Sequence, residues 1–122
     1  MSIELNHTIV GATDKHASAR FIAGILGLSV GADAGPFAPV RLANGVTLDY
    51  MDSPRVAAQH YAFLVSDDEF DAAFGRIRAA SLPYFADPGF QQPGEINTRW
   101  DGRGVYFHDP DGHSMELLTR AP

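Results

Sequence analysis

Asn6-His7-Thr8-Ile9-Val10 and Gln59-His60-Tyr61-Ala62-Phe63 are two short runs with one layout: a polar residue, a histidine, then β-branched, aromatic or small apolar residues. Each is followed by a polar helix cap. A second match closes each half. Gly45-Val46-Thr47-Leu48-Asp49 corresponds to Gly112-His113-Ser114-Met115-Glu116, as glycine, any residue, a hydroxyl, a large aliphatic residue and a carboxylate. Two matches in the same order point to a duplicated unit.

Working outward, Leu5 to Val10 reads as a strand. Thr13 and Asp14 offer N-cap oxygens to a helix that runs to about Leu26, with Phe21, Ile22, Ile25 and Leu28 at helical spacing and Gly27 as its stop. Val30 to about Met51 holds three short strand candidates, separated by the turn residues 31–36 and by the hairpin signal Asn44-Gly45. The second half repeats the order. His60 to Val65 is a strand, and Ser66-x-x-Glu69 is a capping box opening a helix with Phe70, Ala73, Phe74 and Ile77 on its buried stripe. Leu82 to Phe85 is a candidate short strand, 87–101 a long loop, and 104–108 and 114–119 two strands joined by the turn Asp109-Pro110-Asp111-Gly112. The expected fold is α+β, with module 1 at residues 1–56 and module 2 at 57–122 of a single domain.

The chain has 122 residues, 45% apolar and 20% charged, with a net charge of -6. An acidic chain with no basic stripe is a poor partner for nucleic acid. No apolar run approaches the roughly 18 residues of a membrane helix, and 1–4 lacks a signal-peptide pattern, so the expected location is cytoplasmic. With no cysteine, disulfides, thiolate nucleophiles and cysteine-based metal sites are excluded, and any metal must be held by imidazole and carboxylate.

Side chains alternate across a strand. His60, Ala62 and Leu64 share one face, as do Ser114, Glu116 and Leu118, and Thr47, Asp49 and Met51; the bulkier apolar sets face the other way. If the halves join into one curved sheet, His7, His60, Asp49 and Glu116 project to its concave side. Two imidazoles with one or two carboxylates suit divalent Zn, Mn, Fe, Co or Ni, and leave positions for substrate or water. His16 reads as solvated surface, and His108 and His113 as surface or turn residues. Asn97, Arg103 and Tyr106 are candidates for lining a pocket, while Trp100 either lines it or anchors the loop.

The motifs Leu5 to Val10, Leu26-Gly27-Leu28, Gln59 to Ala62 and Phe107 to Leu117 resemble the vicinal oxygen chelate group, which includes glyoxalase I, extradiol dioxygenases, fosfomycin-resistance proteins and bleomycin-binding proteins. The resemblance covers nearly the whole chain. It implies two βαβββ modules forming a U-shaped, partly open mixed sheet with helices on the outer face. It also implies a metal held by His7, His60 and Glu116. Where glyoxalase I carries a further Glu ligand this chain has Asp49, one methylene shorter, leaving Asp49 open as fourth ligand or pocket carboxylate; Glu116 and Asp49 are the candidate catalytic groups for proton transfer. The expected function is a metal-dependent enzyme, glyoxalase- or dioxygenase-like or epoxide-opening, acting on a small molecule, with a drug-binding protein without turnover as the alternative. A homodimer is expected, from exposed sheet edges and from the resemblance.

Overall fold

The computed structural model describes residues 2–122. These divide into two compact units, one up to Ala57 and one from Ala58 to Pro122. The first unit runs β1 (His7–Ala12), α1 (Lys15–Leu26), β2 (Phe37–Arg41) and β3 (Thr47–Asp52). The second runs β4 (His60–Leu64), α2 (Asp67–Ala79), a 3-10 turn (Arg99–Asp101), β5 (Gly104–His108) and β6 (Ser114–Leu118). Each unit carries a three-stranded mixed sheet, ordered β1-β3-β2 and β4-β6-β5. In both, the first strand pairs parallel with the last, and the last pairs antiparallel with the middle one.

The duplication is therefore structural. His7 lies opposite Thr47 and Ile9 opposite Asp49; His60 lies opposite Ser114 and Ala62 opposite Glu116. The extra strand of each expected βαβββ unit is reduced to isolated bridges, Val30 to Val40 in one half and Phe85 to Tyr106 in the other.

Local chemistry explains the elements. The Asp14 side chain accepts from Ala17 N–H to start α1, and Gly27 closes it with its N–H on Ala23 O. Ala19, Ile22, Ala23 and Ile25 turn to the core of the first unit with Val10, Ala12, Leu48 and Tyr50. Gly45, at φ 88, makes the β2–β3 turn, where a left-handed residue closes the hairpin at no steric cost. At α2 the capping box is complete: Glu69 N–H donates to Ser66 Oγ at 3.1 Å, and Ser66 N–H to Glu69 Oε1 at 2.8 Å. Phe70, Ala73 and Ile77 are buried, as are Val105, Phe107, Met115 and Leu117. Ser66→Ala removes one half of the reciprocal cap and should lower unfolding stability by about 1 kcal/mol. Urea denaturation checks this, and an unchanged midpoint would show that the cap contributes nothing to the fold.

Candidate metal centre

The candidate face of the second unit is set by strand parity. Tyr61, Phe63, Met115 and Leu117 turn toward the core side, and His60, Ala62, Leu64 and Glu116 turn away from it. Parallel pairing of Ala62 with Glu116 puts His60 one diagonal step from that carboxylate. The two side chains meet, with His60 Nε2 3.0 Å from Glu116 Oε1. The His60 side chain is 48% exposed and that of Glu116 13%.

Tyr106 of β5 lies opposite Glu116 and so shares this face. It is buried. Its hydroxyl accepts from Arg99 Nη1 at 3.2 Å, and its ring lies 5.9 Å from that of His60. Burial pushes the phenol above its ordinary range, the Glu116 charge pushes the same way, and Arg99 opposes both. Tyr106 thus stays a proton donor beside the carboxylate.

The turn before β6 fixes His60 from behind. Asp109 Oδ1 accepts the N–H groups of Asp111 at 3.0 Å and His113 at 2.8 Å. The buried His113 accepts Gln59 N–H on Nδ1 at 3.0 Å, while Ser114 N–H donates to Gln59 O at 2.8 Å. The backbone just before His60 is gripped twice by the residues leading into β6. His113 is therefore a buried turn residue that orients the end of β4.

Other expected residues fall elsewhere. Arg103 turns to helix α2; its guanidinium donates to Asp71 at 2.7 Å and Asp67 at 3.0 Å and lies 4.5 Å over Phe70. Trp100 is 54% exposed. Asn97 lines an open pocket in the loop, as expected, and also anchors the loop, donating to Ala86 O at 2.8 Å and pairing with Gly104, where an added Cβ would stand 2.8 Å from Asn97 Oδ1. His108 stacks on Phe90 at 3.9 Å, and His16 pairs with Asp33 at 3.0 Å on the surface.

In the first unit His7 and Asp49 take the positions of His60 and Glu116. They do not meet in the same way: His7 Nδ1 lies 2.9 Å from Asn6 Oδ1, and Asp49 has the shorter side chain. Among the described residues no cluster of three or more His, Asp or Glu is placed to hold a metal. The pair that does come together, an accessible imidazole and a carboxylate, has the donor chemistry of a divalent centre.

No protein-family profile matches the chain. It is similar to the solved structure of oxidase ChaP-H2, with 61% identity, a TM-score of 0.97, and coverage of 99% of this chain and 96% of the other. It is 30% identical over 122 residues to the metallothiol transferase FosB of Lysinibacillus sphaericus (strain C3-41), covering 94% of this chain and 81% of that protein. The chain belongs to the vicinal oxygen chelate superfamily. A glyoxalase/dioxygenase from Nostoc punctiforme is a further relative of solved structure, 27% identical, with a TM-score of 0.72 and coverage of 94% and 89%. Within this superfamily the relatives are enzymes acting on small molecules, and the name metallothiol transferase shows metal among them.

The sequence signal for His60 and Glu116 was parity plus repeat. Tyr106 was open to the same parity argument through its pairing with β6. Arg99 sits in an irregular loop, where no periodicity points to it.

Asp109 supplies a pH test of the turn. Burial raises its pKa against the pull of His113, and its Oδ2 is buried with no hydrogen-bond partner among the described residues. A carboxyl raised in the fold stabilises most below its unfolded pKa of about 3.9, and that contribution is lost as pH climbs through the raised value. Asp109→Asn keeps the Oδ1 acceptor without the charge. Its stability should therefore gain on the parent's between pH 3.5 and pH 7 in urea melts; a gap that stays flat or moves the other way would contradict a buried, charge-averse Asp109.

Proposed function

We propose that this protein is a divalent-metal enzyme of the oxidase type that chelates adjacent oxygens of a small molecule at the His60–Glu116 face. The single observation that carries the reading is the 3.0 Å contact between His60 and Glu116 on a strand pair whose register recurs at His7 and Asp49. In this reading His7, His60 and Glu116 hold the metal. The place of His7 rests on the repeat rather than on a contact. The oxidase character is taken from the 61% identical relative.

A bound divalent ion (Zn, Ni, Co, Mn or Fe) would supply Lewis acidity toward the substrate oxygens. The remaining chemistry belongs to the chain. Tyr106 offers an O–H donor beside Glu116, suited to an oxygen on which negative charge develops. Asp49 is a half-buried carboxylate with no ion pair among the described residues, placed in this reading to take up a substrate proton. Exposed Leu64 on the face of His60 and exposed Ile9 on the face of His7 give each sheet apolar surface for a substrate body.

The proposed setting is a cytoplasmic homodimer; β1 and β4 are outer strands of their sheets, and such edges need cover. Sedimentation at micromolar concentration showing only monomer would count against the dimer.

Metal titrations at one pH test the centre. His60→Ala and His7→Ala each remove a ligand, and Glu116→Gln removes a charge; each should weaken metal binding by tenfold or more, on the order of a lost ligand or supporting contact. Asp49→Asn should bind metal nearly as the parent does, and lose turnover instead. Oxygen consumption by the iron-loaded protein separates the oxidase reading from binding without turnover. Parent-like affinity in His7→Ala and Glu116→Gln would move the binding-protein reading ahead.

A further inference from the structure

The second unit places two arginines at the end of its long loop and uses them differently. Arg103 is neutralised by Asp67 and Asp71. Arg99 has no carboxylate in ion-pair range among the described residues; its guanidinium donates to the Tyr106 hydroxyl at 3.2 Å and lies 5.9 Å from that ring. An unpaired surface arginine is ordinary in itself. Two placements set this one apart. It lines an open, solvent-facing pocket of about 730 Å³ with Gln92, Glu95, Asn97 and Thr98. It is also one hydrogen bond from Tyr106, the strand partner of Glu116, so the loop adjoins the face that carries the candidate centre.

The backbone is bent to keep it there. Trp100 and Asp101 follow at φ 58 and φ 62, a left-handed pair that non-glycine residues keep only where surrounding structure enforces it. The bend leaves Trp100 facing solvent while Arg99 stays against Tyr106. The Asn97 anchor, whose Oδ1 also accepts Arg99 N–H at 3.2 Å, holds the segment in place.

We propose that Arg99 is the specificity-determining residue of this enzyme, binding a carboxylate on the substrate in the loop cavity while the substrate's adjacent oxygens face His60 and Glu116. The second half of that statement rests on the metal reading above; the first does not. Of the five N–H donors of a guanidinium, four remain after the bond to Tyr106, and their fork matches a planar carboxylate. Glu95 on the same cavity penalises a second negative charge, so a monoanionic carboxylate is favoured over a phosphate dianion.

The test is calorimetric binding of 3,4-dihydroxybenzoate and of catechol, which differ by the carboxylate alone, to the full chain in chelator and again with zinc. The parent should prefer the carboxylate probe by about tenfold or more, the size of one charge-assisted contact. Arg99→Gln should lose that preference with catechol affinity unchanged, and Arg99→Lys should keep part of it, with circular dichroism confirming that both variants fold. A preference that survives Arg99→Gln, or a parent that shows none, overturns the proposal. The two readings fail separately. If Glu116→Gln still binds metal as the parent does while Arg99→Gln has lost its preference, the metal reading falls and the carboxylate site stands. If metal binding follows Glu116 but Arg99→Gln is indifferent, the reverse holds.

Discussion

The parallel pairing of β4 with β6 is the constraint on which the candidate centre depends. It sets Ala62 opposite Glu116 and thereby brings His60 within 3.0 Å of the carboxylate. A slip of one residue would turn Glu116 to the core side and Met115 outward, exposing a buried side chain and burying a charge. Register is therefore held by the hydrophobic pattern, and the site inherits its precision from the core. The Asp109–His113 turn adds a second hold by tying Gln59 to the residues that lead into β6.

Duplication gives the first unit the same scaffold and a different use of it. His7 and Asp49 occupy the diagonal that His60 and Glu116 occupy in the second unit. One methylene fewer and a local bond from His7 to Asn6 leave the carboxylate without an imidazole partner among the described residues. A duplicated pair thus yields one joined imidazole–carboxylate and one separated one. That asymmetry suits a division of labour in which one carboxylate binds and the other moves a proton. The buried phenol of Tyr106 has no counterpart on the first unit's face: β2 places Pro39 opposite Asp49 where β5 places Tyr106 opposite Glu116.

Much of this was legible in the sequence because it is periodic. The caps at Asp14 and Ser66, the stop at Gly27, the hairpin at Asn44-Gly45 and the strand faces all follow from local chemistry or from alternation, and all appear in the fold. Phe74, on the expected buried stripe of α2, is only half-buried, because its ring packs edge-on to Tyr84 at the margin of the core. The expected extra strands shrank to isolated bridges, Val30 to Val40 and Phe85 to both Tyr106 and Pro93, within irregular connections. The loop 87–101 was the opaque part. Arg99 and Arg103 lie four residues apart with no pattern to tell them apart, yet one meets the phenol of the candidate centre and the other clamps the helix cap. Only long-range geometry separates them.

The proposal that His7 joins His60 and Glu116 as a metal ligand is tested most directly by X-ray absorption on the protein loaded with one equivalent of zinc. The account predicts a shell with two imidazole nitrogens and carboxylate or water oxygens, falling to one imidazole in His7→Ala. A shell with a single imidazole in the parent, unchanged by His7→Ala, would contradict it.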